Sequence, residues 1–244
     1  MINMSLATAI HQSRHGQLPP DHAGHIRQVE TVHDLFSGRY ESVTTVGETF
    51  TNAVLGIGVA EGVDGEIIHA NGTTWRVPAD GVPHRAPAEL GMPFAVAAYG
   101  GTPVTRDVPQ GSSMADVTAL VDEVLTAEAL HHDYLVAAVE LVGDFAHVLL
   151  RSEHGQKPPY QPLGTEGSVT GEVRFHFDAW SGTLVGFRFP DVADDIVIPG
   201  LHLHGIARDH TSGGHCHEMT VTRARLRVWV DDVEVDVPGL PVAA

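Results

Sequence analysis

Three histidines stand at spacings that let them converge on one point. Pro199-Gly-Leu-His202-Leu-His204 runs into Gly205-Ile206, then a turn segment, ARDHTSGG, and then His215-Cys216-His217. Residues two apart in a strand share a face, so His202 and His204 project together while Leu201 and Leu203 turn toward apolar packing. Gly213-Gly214 permits backbone angles that other residues resist. A hairpin there brings His215 or His217 beside the first pair. Three imidazoles with a fourth position open is the arrangement of catalytic zinc, although imidazole also suits copper, iron and nickel. One H-x-H pair means little in a chain with 17 histidines. Two such pairs flanking one glycine turn, with leucines on the alternate face, mean more. His210 falls in the turn and is expected in solvent, and Cys216 is expected to be a small packed residue.

Two further side chains could serve such a centre. Glu66 follows Asp64-Gly65 at the mouth of an expected hairpin and could transfer a proton or orient a metal-bound water; as a residue type it could equally be an exposed hairpin acid. Arg151 ends an apolar strand just before a Pro-rich segment, where its planar fork could grip a substrate carboxylate or simply reach solvent. Other candidates lead nowhere. Gly56-Ile-Gly58-Val-Ala-Glu-Gly62 has the wrong spacing for a dinucleotide fingerprint and precedes a strand. His131-His132-Asp133 should meet helix C-terminal carbonyls, and Asp191, Asp194 and Asp195 read as a solvated loop.

These residues need strands to position them. Residues 53–59 (AVLGIGV) read as a buried strand, Asp64-Gly65 as a turn and residues 66–70 as its hairpin partner; residues 73–78 and 93–99 continue the meander. Residues 114–130 form the strong helix, capped by Ser112 or Ser113, with Val117, Leu120, Val121, Val124 and Leu125 at helical spacing. A shorter helix is expected at 32–37. Strands follow at 134–141, 145–151, 169–177, 183–189, 196–206, 215–221 and 224–230, and 153–164 reads as a long loop. The class is α+β, mostly antiparallel strands, with an expected duplicated strand-helix-strands unit and a β-barrel-like metal-binding half, although no repeat is visible in the sequence. Residues 1–24 read as a histidine-rich N-terminal arm, 25–112 as the N-terminal half with a mixed sheet, and 113–244 as the C-terminal half carrying the metal site.

Composition narrows the function. The 244 residues carry 31 Asp+Glu against 14 Lys+Arg, a formal charge of −17. A field of that sign repels phosphate backbones and anionic membranes, so neither nucleic acid nor membrane is an expected partner. An anionic substrate would need a local positive centre, such as a metal or an arginine. With Cys216 as the single cysteine there is no disulfide framework, and the start does not read as a signal peptide, so the cytoplasm is expected.

From about Ile26 to Pro238 the sequence resembles the α-acetolactate decarboxylases. The resemblance rests on GFRFPDVADDIVIPGLHLHGIARDHTSGGH, on the hairpin LGIGVAEGVDGEII and on QKPPYQPL after Arg151. It implies that His202, His204 and His215 ligate zinc, that Glu66 is an active-site carboxylate and that Arg151 binds the substrate, with Gly155 standing where a second basic residue is common. It also implies a duplicated α+β fold and a homodimer. The implied reaction acts on acetolactate or a similar 2-hydroxy-3-keto acid and gives an acetoin-type product. Zinc held by the substrate's hydroxyl and keto oxygens stabilises the enediolate left by departing CO₂, and a carboxylic acid then returns a proton. The family pattern further implies a second glutamate from a segment past the last strand. Val237-Pro-Gly-Leu-Pro-Val-Ala-Ala244 does not supply it, and neither Glu218 nor Glu234 corresponds, so Glu66 is expected to handle the proton alone or with zinc-bound water. Two alternatives stand beside this reading. One is the same scaffold isomerising or decarboxylating a different β-keto acid. The other is a non-enzymatic zinc-containing ligand-binding module, which a closed site of four protein ligands would favour.

Overall fold

The computed structural model describes residues 25–128, 136–163, 171–189, 196–231 and 233–236. Its elements in chain order are β1 (His25–Val29), α1 (Val32–Phe36), β2 (Thr44–Thr45), α2 (Val46–Phe50), β3 (Leu55–Val59), β4 (Glu66–Ala70), β5 (Thr73–Val77), β6 (His84–Arg85), β7 (Gly91–Met92), β8 (Phe94–Tyr99), β9 (Val104–Val108), α3 (Met114–Glu128), β10 (Val136–Glu153), β11 (Glu172–Phe189), β12 (Gly200–Ala207), β13 (Gly213–Asp231) and β14 (Val233–Asp236). The class is the expected α+β with mostly antiparallel strands. Among the described residues no helix is long and apolar enough to cross a membrane.

β3 and β4 are buried at every position. They lie in the interior of a seven-stranded sheet ordered β14-β1-β8-β3-β4-β5-β6 and are covered on both faces, which explains why they read as continuous apolar runs. Phe50 of α2 and Ile67 belong to the cluster on one face, while Ile57, Ile68 and Val96 join Val185 and Phe187 of the second sheet in another. The β3–β4 hairpin forms as expected, but with a short 3₁₀ turn, Glu61–Val63, before Asp64-Gly65. Gly65 sits at φ 102°, in the region that favours glycine, and a Cβ there would strike the Val77 carbonyl. Its backbone thus delivers Glu66 to the start of β4.

The second sheet is β10-β11-β12-β13-β9, and β10 also pairs with β13, so four strands pair in a cycle. The buried face of α3, with Val117, Val121 and Val124, packs on this sheet against residues such as Leu141, Leu226 and Val228. Ser113 and Asp116 cap its start reciprocally.

Several expected elements change form. The short strands 134–141 and 145–151 are one strand, β10; 169–177 and 183–189 merge into β11; 215–221 and 224–230 merge into β13. Gly143-Asp144 and Ser181-Gly182 resemble turn signals. Here the irregularities are absorbed inside long strands, by register shifts around Asp144, Phe145 and His147 and by Ala179 at φ 55°. Glu153, expected to open a loop, is the last residue of β10. Strands β1, β9 and β14 carried no clear signal. The sheets also exchange edges: β9 pairs with β13, and β14 pairs in parallel with β1. The N-terminal arm 1–24, the pair His131-His132 and Asp191, Asp194 and Asp195 lie outside the described residues.

Candidate metal centre

The histidine cluster follows from strand register. His204 of β12 lies directly opposite His215 of β13, and His202 is two residues back on the same face. The three residues offer ligand atoms that all lie within 4.8 Å of one another. His217 is the extra residue of a register shift, because Leu149 faces Glu218 while Leu150 faces Cys216. It leaves the strict alternation, and its ring, 4.9 Å from that of His215, faces Glu172 at 3.8 Å. Cys216 packs in the core, as expected, and burial pushes its thiol up to about 12. His210 is exposed, as expected, and stacks on Trp75.

The donor set fits a cation. His204 Nδ1 lies 3.0 Å from the Ile67 carbonyl, so it must donate there, which leaves a lone pair on Nε2. That Nε2 is 3.3 Å from His202 Nε2. Two ligands of a tetrahedral zinc, at about 2.0–2.1 Å each, are separated by about 3.3 Å. His215 Nδ1 is buried without a hydrogen-bond partner, as a nitrogen kept for a metal would be. Burial, reinforced by the neighbouring imidazoles and by Arg151, holds His202 and His215 well below the usual histidine range, and burial holds His204 at about 3. The rings are therefore neutral at physiological pH, the form that ligates.

Beside the histidines is a charged cluster drawn from three strands. Arg151 of β10 pairs across the ladder with His215, which places it on the histidine face. The close approach needs Gly214, whose φ is 140° and whose Cβ, if present, would collide with the Arg151 carbonyl. Arg151 Nη1 donates to Glu66 Oε1 at 3.1 Å and to Glu153 Oε1 at 2.9 Å, and Nε faces Glu172 Oε2 at 3.5 Å without hydrogen-bond geometry. The second oxygen of Glu66 lies 3.5 Å from His204 Nε2. Glu66 is therefore no exposed hairpin acid. It is buried, and burial raises its carboxyl above the ordinary value against the opposing pull of Arg151. Burial likewise raises Glu153 to about 7. Burial also acts to raise Glu172, but its hydrogen bond with Arg174, with Arg151 and His217 nearby, outweighs that and holds it below the ordinary value.

Glu153 and Glu172 were not foreseen. The Arg151-Ser-Glu153 spacing held a usable signal, since two residues apart in a strand means one face. Glu172 is brought in only by its register opposite Glu153. A cavity of about 270 Å³ joins the clusters: His202, His204, His215, Glu66, Arg151 and Glu153 line it together with apolar residues that include Phe36, Val63 and Phe94. Three histidine nitrogens thus face a cavity with an acid–arginine wall and an apolar remainder, an arrangement suited to a small anionic substrate.

The chain belongs to the alpha-acetolactate decarboxylase family, whose model matches residues 26–240. It is 31% identical over 196 residues to the alpha-acetolactate decarboxylase of Methanosarcina mazei, covering 80% of this chain and 66% of that one, just under two thirds of the relative's length. It is 29% identical over 222 residues to that of Methylococcus capsulatus, covering 90% and 83%. The crystal structure of alpha-acetolactate decarboxylase from Bacillus subtilis strain 168 is similar with a TM-score of 0.78 and 26% identity, over 88% of this chain and 90% of that one.

Proposed function

We propose that this chain is a zinc-dependent decarboxylase of acetolactate or a closely similar 2-hydroxy-3-keto acid, releasing CO₂ and an acetoin-type product. The observation that carries the reading is the meeting, in one cavity, of three neutral imidazoles with the buried Glu66 and its half-buried partner Arg151. His202, His204 and His215 would hold the metal, with the cavity on its open side. When bound, zinc supplies a Lewis acid for the negative charge that builds up as CO₂ departs. Arg151 serves the substrate carboxylate. Among the described residues its contacts fall on Nη1 and Nε, so Nη2 is available to an incoming anion. Glu66, beside His204, exchanges a proton with the substrate. The apolar wall keeps water from the reacting carbon and accepts the substrate's alkyl groups.

The cycle of pairings from β10 to β13 supports a barrel-like reading of the metal-bearing half, and the order of helices and strands supports a duplicated unit. The family resemblance supports a homodimer, which sedimentation would read directly. The decisive experiment measures CO₂ release from acetolactate by the purified full chain, with metal content determined in parallel. Turnover that disappears with a chelator and returns with zinc is the expected result. Absence of turnover by the zinc-loaded chain would reject the reading.

A further inference from the structure

The carboxylate cluster has more acids than cations to hold them. Glu66, Glu153 and Glu172 face one guanidinium, that of Arg151. Glu172 has other partners in Arg174 and His217. Glu66 has the histidine site at its second oxygen. Glu153 has neither. Its side chain is only 9% exposed and its Oε2 has no hydrogen-bond partner, yet it lines the same cavity as the three histidines. In the β10–β11 ladder it lies directly opposite Glu172, a like-charge pairing that destabilises a sheet when both groups are ionised. A buried acid with an idle oxygen, opposite another acid, is a poor device for holding strands together. It is well suited to holding a proton.

We propose that Glu153 is a second functional carboxylate of this site, the acid that holds the site's proton at rest and delivers it to the reacting carbon. This rests on the decarboxylase reading and deepens it. The bond between the substrate's carbon and its carboxylate breaks, CO₂ leaves, and the electron pair stays with the substrate. The O–H bond of Glu153 then breaks as a C–H bond forms, and Glu153 is left as a carboxylate held by Arg151. It regains its proton from water, so each turnover consumes one proton. Glu66, beside His204, interacts with the substrate hydroxyl. The charged groups facing Glu153 are Arg151 on its own strand, Glu172 across the ladder, Glu66 from β4 and the adjacent His154. Burial is the main force keeping Glu153 protonated, and Arg151 is the main opposing one.

The test uses the metal-loaded full chain and two readouts. Infrared spectra in H₂O and D₂O near neutral pH detect a protonated carboxyl, and CO₂ release from acetolactate measures turnover. Glu30, also buried and raised to about 7, contributes to every spectrum, so the readout is the difference from the parent: Glu153→Gln is expected to lose carboxylic-acid intensity that Glu66→Gln keeps. Glu153→Gln should also lose roughly a hundredfold or more in kcat with KM changed much less. Carboxylic-acid intensity in Glu153→Gln equal to the parent's, or parental turnover in that variant, overturns the proposal. If Glu153→Gln does not fold, Glu153→Asp decides: it keeps the acid and should retain band and measurable turnover, and loss of both with metal still bound overturns the proposal. A parent whose band maps to Glu153 but which releases no CO₂ from acetolactate would reject the decarboxylase reading while leaving the resting proton on Glu153.

Discussion

The two halves of this cavity are assembled in opposite ways. The histidine side comes from one hairpin, β12 and β13, and its three ligands lie within fourteen residues, His202 to His215. The carboxylate side draws Glu66 from β4 and Arg151 and Glu153 from β10, with Glu172 of β11 set behind Arg151 outside the lining. The first is local and is held neutral by burial; the second is assembled from both sheets and is charged. A local ligand set can keep its geometry wherever its hairpin folds. A network built across sheets depends on the register of every strand that contributes to it.

That contrast can be broken or sharpened by experiment. The largest effect is expected from His204→Ala, which removes the ring that is opposite His215 and locked by Ile67. Metal analysis should show loss of stoichiometric metal, and turnover should fall to background; full metal occupancy would show that His204 is not a ligand. Next comes Glu66→Gln, which keeps shape but not proton exchange. Metal should stay bound while turnover drops by about a hundred- to ten-thousand-fold. Arg151→Lys follows. It keeps a charge but loses the planar set of donors in which Nη1 bridges Glu66 and Glu153 and Nε faces Glu172, so kcat/KM should fall by roughly ten- to a hundredfold, with about 1–3 kcal/mol of stability lost from carboxylates short of a donor. Unchanged kinetics and melting would return Arg151 to a strand-end charge.

The fourth prediction sets the two sides against each other in pH. The histidines of the metal-free protein have pKa values lowered from 6.5, so their contribution is complete above that value and is lost as pH falls, toward about 3 for His204. Glu153 is raised from 4.5 to about 7, so its contribution is complete below 4.5 and is lost as pH rises through about 7. The two slopes oppose each other between those limits. Thermal melts of metal-free Glu153→Gln should therefore gain stability more steeply from acid to neutral pH than the parent's, and equal slopes would remove Glu153 from the balance. The smallest effect is expected from His217→Ala. Metal content should be unchanged and turnover should shift by less than an order of magnitude, because His217 sits in the register shift and faces Glu172.

The same contrast explains what could be read from the sequence. The H-x-H pairs, their alternate leucines and the glycine turn carry the histidine geometry in consecutive residues, and period-two logic is enough to project it. The choice between His215 and His217 was beyond that logic, since both share a face in a regular strand and only the shift after Cys216 separates them. Helix α3 was legible from its periodic valines and its Ser113 cap. The long strands were not, because Gly143-Asp144 and Ser181-Gly182 look the same whether a chain turns or bends within a ladder. Glu172 is invisible in advance because only register sets it opposite Glu153. The apolar wall is equally hidden: Phe36, Val63 and Phe94 are distant in sequence and meet only when the sheets pack.

The exchange of edge strands has a consequence for the order in which the molecule can be made. Ile26 pairs with Val233, about two hundred residues apart, so β1 waits for its outer neighbour until nearly all of the described chain has been synthesised. A nascent chain extending to His215 already has the three candidate ligands, but not the rest of β13 that closes the cycle with β10, nor β14. Until those segments emerge, β10 and β1 expose backbone groups that other chains could pair with. Translation pauses in the last strands should therefore lower the yield of active protein more than pauses of equal length near β3 and β4.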